Sequence, residues 1–297
     1  MSTLTIVLLS AGGLLALAIL AYALFVVRML RAAGQPMPFD TGGRARLLAK
    51  ALPVSEAAVG HALDVYGPEE PAEEPRPVVL FVPGDAPDFL LRKSREWGMF
   101  RSYAELCAAR GWSAAVASHR PSGNYKRSQV MVQDVLDTLE VLRSRSAELG
   151  LDPERVVVWC FSGSVGPVLA QLLRSPVPGV QGLVSFYGFL DLSAWPMKLP
   201  AESVERYSLP PLLRQADALP CPVYLLHASK DRKMMTKGFE ATRQALEGRA
   251  LPVTMRVGAG LRHGFEVQDE PALSRPEIEA GLGFVAGCFE SRGGGGA

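Results

Sequence analysis

The chain has 297 residues, 48% apolar and 21% charged, which suits one large globular domain with something added. Its 31 basic and 30 acidic residues leave a net charge of +1, so no broad attraction for a polyanion exists and nucleic-acid binding is not indicated. Cys107, Cys160, Cys221 and Cys288 lie far apart in or beside apolar segments, without metal-site spacing, and are expected to be free, mostly buried thiols.

The first element is an apolar run. From Leu4 to Val27 no residue is charged, and these 24 residues would form a helix of roughly 36 Å, enough to cross a hydrocarbon core with some tilt. Residues 1–31 are therefore expected to be a transmembrane anchor. A cleaved secretory signal is the competing reading, but no basic residue precedes the run, it is long for such a signal, and no clear cleavage site follows. Arg28, Arg31, Arg44, Arg46 and Lys50 all come after it, which by the positive-inside rule puts the rest of the chain on the cytoplasmic side of a cell membrane. Residues 32–59 read as a juxtamembrane linker, rich in Gly and Pro at its start. Its "RARLLAKAL" segment is expected to pack on the domain rather than lie on the membrane.

From residue 60 to 290 β-rich and helical runs alternate. "GPEEPAEEPRP" (67–77) has no apolar content and is an exposed loop. "PVVLFV" (77–82) predicts a strand, "SYAELCAARG" (102–111) a helix with a glycine stop, and "SAAVAS" (113–118) a strand. Residues 130–150 carry the spacing of a long amphipathic helix. "RVVVWCF", "VQGLVSFYG", "PVYLLHA" and "PVTMRVG" predict four more strands, separated by helices, and "EIEAGLGFVAGCFE" closes the domain as a helix. Strands this apolar are buried on both faces, which implies a mostly parallel sheet with helices on each side. Reactive groups then belong at the carboxyl ends of the strands. Residues 291–297 are expected to be a flexible tail.

Ser162 falls where such a group would sit, after "RVVVWCF" and before a helix. Gly163 follows it, and the small residues Cys160 and Ser164 stand two positions to either side. A nucleophile elbow needs small neighbours because its serine adopts a strained backbone at a crowded strand-to-helix turn. An ordinary turn is the plainer reading of this stretch alone. Serine is a poor nucleophile unless a histidine takes its proton, and that histidine needs a carboxylate to orient it. Asp231 lies just past the next-to-last strand and His263 just past the last, in the chain order Ser, Asp, His.

These segments, with "LDVYGP", "RPVVLFVPGD", "FYGFLDL", "LLHASKD" and "GLRHGF", resemble the α/β-hydrolase superfamily, in its esterase and dienelactone-hydrolase-like group, over about residues 60 to 290. The resemblance implies an α/β-hydrolase fold, with Ser162 as nucleophile, His263 as general base and Asp231 as its orienting acid, and neither metal nor organic cofactor. Dienelactone hydrolases proper carry cysteine at the nucleophile position. Ser162 here favours ester chemistry. Together with the anchor expected from the N-terminal run, the reading is a membrane-anchored serine hydrolase cleaving small carboxylic esters. The alternatives are a catalytically inactive hydrolase fold serving as a binding or scaffold module and, more weakly, a prolyl-oligopeptidase-like peptidase.

The chain departs from the group after its first strong strand. Where such esterases carry H-G-G-G, this sequence has Pro83, Gly84, Asp85 and Ala86, so the oxyanion hole is expected from the Gly163 N–H with that of Asp85 or Ala86. A carboxylate at Asp85 would oppose an oxyanion unless its side chain turns away. Ser164 is a second candidate nucleophile two residues late, and Cys160 is expected to be only the small residue of the elbow. His227 is read as a satisfied core histidine, His61 and His119 have no identifiable partner, and Asp134 and Asp137 are read as solvated or capping residues of a helix. Trp97, Met99, Phe100, Trp195, Met197 and Tyr207 are expected to be either pocket walls or core cover. Residues 191 to 220 are the only place for a lid.

Overall fold

The computed structural model describes Leu20 and residues 34–291. The anchor expected over 1–31 therefore lies, Leu20 apart, outside the described residues, as does the tail beyond 291. Among the described residues no helix is long and apolar enough to cross a membrane.

Among the described residues eight strands form one sheet: β1 (Ala45–Pro53), β2 (Ala62–Pro68), β3 (Arg76–Val82), β4 (Ser113–Ala117), β5 (Leu151–Phe161), β6 (Val180–Phe186), β7 (Val223–Ala228) and β8 (Val253–Gly258). Their order is β1-β2-β4-β3-β5-β6-β7-β8. β1 and β2 pair antiparallel, β2 pairs antiparallel with β4, and every other neighbouring pair is parallel. This is the α/β-hydrolase fold, with its mostly parallel sheet.

The central strands are apolar along most of their paired length because both of their faces are covered. One face packs Leu80, Val158, Leu183 and Leu225 against Leu139, Leu169 and Phe239. The other is aromatic: Phe81, Trp159 and Phe186 lie there with Phe100, Tyr103 and Phe265. Trp159 is fully buried, its ring 4.7 Å from Phe186 and 5.3 Å from Tyr103. The helix Pro271–Glu290 can lie close over that ring only through Gly281, where a Cβ would sit 2.6 Å from the indole. All four cysteines are free and buried.

The segment 32–59, expected to be a linker, is part of the domain. Met37 is buried and its N–H bonds to Ser102 Oγ at 3.0 Å, Thr41 donates to Glu105 at 2.9 Å, and residues 45–53 form β1. Gly and Pro in this stretch do not prevent packing. β1 escaped the sequence pattern because register breaks between Leu47 and Ala49 and between Ala49 and Leu52 scramble its alternation. Its Arg46 and Lys50 suit an edge strand, where charge discourages pairing with another chain. The long helix expected over 130–150 is split by Arg145 into Ser128–Ser144 and Ser146–Leu149.

Chain order and strand order part company around β3. The chain steps from β3 out to β4 and then back across to β5, which opens a crevice beyond the carboxyl ends of β3 and β5. The loops after those two strands carry Asp85 and Ser162.

Candidate active site

β5 ends at Phe161, and Ser162 takes a left-handed backbone with φ of +52°. For a non-glycine residue that conformation costs about 1 kcal/mol or more and persists only where the surroundings impose it. Here they do. A tight turn over Ser162–Ser164 feeds directly into the helix Val165–Arg174. A Cβ on Gly84 would lie 2.8 Å from Ser162 Cβ, and one on Gly163 would lie 2.9 Å from Asp85 Cβ. Glycine at both places lets the β3 and β5 loops meet. Ser164 is fully buried and its hydroxyl donates to the Phe161 carbonyl at 2.9 Å, so it braces the elbow from within. Cys160 is buried as well, and burial pushes its thiol up, away from the reactive thiolate.

Three side chains from three strand ends meet at this turn. Ser162 Oγ lies 2.8 Å from His263 Nε2, and His263 Nδ1 lies 2.7 Å from Asp231 Oδ2. The Asp231 side chain is fully shielded and its other oxygen accepts the Arg232 N–H at 2.7 Å. Gln268 donates to the His263 carbonyl at 3.0 Å, and Arg262 pairs with Asp269 across the same loop. The histidine is thus held from both its ring and its backbone. Such a relay can pass a proton from the hydroxyl to the imidazole while the carboxylate fixes the tautomer.

The profile of the dienelactone hydrolase family matches residues 89–281. The chain belongs to that family. Membership makes it a hydrolase. No curated protein matches it. Solved structures with the same fold include esterase B from Lactobacillus rhamnosis inhibited by a tributyrin phosphonate, with 14% identity, a TM-score of 0.70 and coverage of 95% of this chain and 97% of that one. A bacterial heroin esterase aligns at 18% identity and a TM-score of 0.61, covering 91% of this chain and 90% of its own. The esterase Est2 from the planctomycete Thermogutta terrifontis aligns at 19% identity and a TM-score of 0.55, covering 86% of this chain and 96% of its own.

In this family member the loop after β3 lacks a glycine run, and the Asp85 carboxylate has a defined partner. It accepts the Ser122 N–H at 3.0 Å and the Ser122 hydroxyl. The Asp85 amide nitrogen lies 3.2 Å from where a Gly163 Cβ would stand. Two recesses flank Ser162. A cavity of about 150 Å³ runs past His263 and is walled by Trp97, Met99, Phe100, Phe161 and Val267. A more polar recess of about 330 Å³ on the other side includes Asn124, Tyr125, Trp195 and Arg232. Ala86 borders both.

Other residues singled out in the sequence lie elsewhere. His227 is buried, stacks on Phe239 with ring centres 5.0 Å apart, and is held below the usual histidine range by burial. His61 bonds to Asp88 at 3.0 Å, and His119 sits between the carbonyls of Pro83 and Arg120. Asp134 pairs with Arg120, and Asp137 accepts from Gln133 at 2.7 Å. Met197 lies in a separate surface groove, and Tyr207, within the 191–220 segment, is buried in a small apolar cluster with Phe189 and Leu192.

The site also holds residues the sequence did not single out. The Tyr187 ring centre lies 4.6 Å from that of His263, and its hydroxyl donates to Glu266 at 2.9 Å. Tyr103 donates to the same carboxyl at 3.1 Å. Glu266 is fully buried, and burial raises it to about 7 although both tyrosine hydroxyls pull the other way. The only sequence signal was proximity, three residues past His263.

Proposed function

We propose that the chain is a serine hydrolase that cleaves small carboxylic esters through an acyl-enzyme. Ser162 Oγ attacks the ester carbonyl while its proton passes to His263 Nε2, and Asp231 stabilises the imidazolium. The tetrahedral oxyanion accepts hydrogen bonds from the N–H of Gly163 and that of Asp85 or Ala86. As the intermediate collapses, His263 returns the proton to the departing alcohol. A water molecule then attacks the acyl-enzyme with His263 as base, releasing the acid and restoring Ser162. The observation that carries this reading is the unbroken Ser162–His263–Asp231 hydrogen-bond chain at 2.8 and 2.7 Å, with Ser162 held in a strained backbone. Small substrates are supported by the modest size of the two recesses beside Ser162, about 150 and 330 Å³. The esterase names of the three structural relatives agree with it.

A fluorophosphonate probe tests this directly, because a phosphonylated serine mimics the tetrahedral intermediate. Wild-type protein and Ser164→Ala should be labelled, and Ser162→Ala should not. Folded wild-type protein that neither reacts with the probe nor hydrolyses an activated ester would leave the scaffold reading in its place.

The uncharged run Leu4–Val27, followed by five basic residues within the next 23, supports a membrane anchor with the catalytic domain on the cytoplasmic side. Full-length protein should stay with the membrane pellet after carbonate extraction, and a C-terminal reporter should be active only in the cytoplasm. Release by carbonate would remove the anchor, and a reporter active only outside would reverse the orientation.

A further inference from the structure

The loop between β4 and the helix Ser128–Ser144 has an uncommon backbone. Gly123, Asn124 and Tyr125 have consecutive φ values of +62°, +57° and +65°. For the two non-glycine residues this conformation is strained, and it holds only where the surroundings dictate it. Much of that constraint comes from the oxyanion-side loop. Both oxygens of Asp85 are engaged by Ser122, whose hydroxyl oxygen accepts the Tyr125 N–H at 2.8 Å. The Ser122 carbonyl accepts the Arg127 N–H at 2.7 Å, and Ser128 donates to the Tyr125 carbonyl at 3.0 Å.

This bracing fixes the direction of one side chain. The Tyr125 ring is buried against Phe189, with centres 5.3 Å apart, and meets Trp195 edge-on at 4.9 Å. Ring and backbone are fully engaged, yet the hydroxyl makes no hydrogen bond among the described residues. It stands 3.0 Å from the point where a Gly163 Cβ would lie, facing the recess that Ser162, Gly163, Asp85 and Ala86 share. Burial, reinforced by the Asp85 carboxylate, holds the phenol above its ordinary value, so it keeps its proton at neutral pH.

We propose that the Tyr125 hydroxyl is a third donor to the oxyanion, and that Asp85 and Ser122 are positioning residues that present it. This rests on the serine-hydrolase reading above. It gives the substitution of Asp85 into the glycine run a purpose. The carboxylate serves as a latch for a donor carried by the neighbouring loop, and its charge is engaged by Ser122. No proton leaves Tyr125. The hydroxyl only shares its hydrogen with the oxygen that gains charge as Ser162 attacks.

Tyr125→Phe is the test, because it keeps the ring, its packing and the backbone. With a short-chain nitrophenyl ester, kcat should fall about 10²-fold, the loss typical of one oxyanion donor, while KM stays within about twofold. The rate of fluorophosphonate labelling should fall in parallel. Asp85→Ala should lower kcat comparably, Asp85→Asn should recover much of the loss by keeping an acceptor for Ser122, and Asp85→Ala combined with Tyr125→Phe should be little worse than either alone. An unchanged kcat in Tyr125→Phe overturns the proposal, and so does a loss confined to KM, which would make Tyr125 a binding group for the acyl chain. A wild-type protein inert to both ester and probe would sink the serine-hydrolase reading, and this inference with it.

Discussion

Ser162→Ala and His263→Ala are each expected to lower kcat for a short-chain nitrophenyl ester by about 10⁵- to 10⁶-fold, with the double variant no slower than either single one. The non-additivity follows from the geometry. Ser162 Oγ and His263 Nε2 are 2.8 Å apart, and in the proposed mechanism they act as one nucleophile, so losing either partner should leave only oxyanion stabilisation and substrate binding. Asp231→Asn should cost less, about 10⁴-fold. Its amide would donate to Nδ1 at the present 2.7 Å contact, which forces the proton onto Nε2 and removes the acceptor that Ser162 needs. Steady-state kcat on purified, folded variants checks all four values. A His263→Ala enzyme within tenfold of wild type would mean that another group takes the serine proton.

The second large effect concerns stability against pH and centres on Glu266. Its carboxyl lies at about 7 in the folded protein against an ordinary value of 4.5, because it is fully buried. Below pH 4.5 the group is protonated in both folded and unfolded chains, and its contribution is fully present. Between 4.5 and 7 the folded protein retains a proton that the unfolded chain has released, so stability falls as pH rises. The fall amounts to about 3 kcal/mol once the pH passes 7. Glu266→Gln has no proton to lose and can still meet Tyr103 and Tyr187 with an acceptor and a donor. Denaturant unfolding at pH 5 and pH 8 should therefore show wild type losing about 2.5 kcal/mol more than the variant, since part of the fall has already occurred by pH 5, with groups common to both cancelling. Parallel pH dependences would show that Glu266 is solvated or ionised throughout. The group also matters for its position, since it anchors the Tyr187 hydroxyl while that ring lies against His263.

Much of the site was legible because its signals are local. An apolar strand ending in a serine with a glycine after it, and an acid and a histidine each just past a strand, are written in short stretches of chain. The parallel sheet then carries every strand end to the same edge. Ser162, Asp231 and His263 needed only their order and their places after strands. Even the choice between Ser162 and Ser164 was partly legible, because the strand ends at Phe161; the burial of Ser164 against the Phe161 carbonyl made the distinction physical.

Some features were illegible because they depend on partners distant in sequence or on backbone conformations that residue identity does not announce. Residues 32–59 carried the composition of a linker, yet Met37 is buried in the core and Ala45–Pro53 pairs with β2, since packing depends on what the fold brings alongside. The sequence by itself determined the alternation of strand and helix, the chain order of Ser162, Asp231 and His263 and the small residues around Ser162, all set by local periodicity and sterics. Only the tertiary structure decided where the Asp85 carboxylate goes, because its partner Ser122 is 37 positions away. It alone placed Tyr125 beside Gly163 by way of three left-handed residues, and it alone raised Glu266, because burial is a property of the folded surroundings and not of the residue.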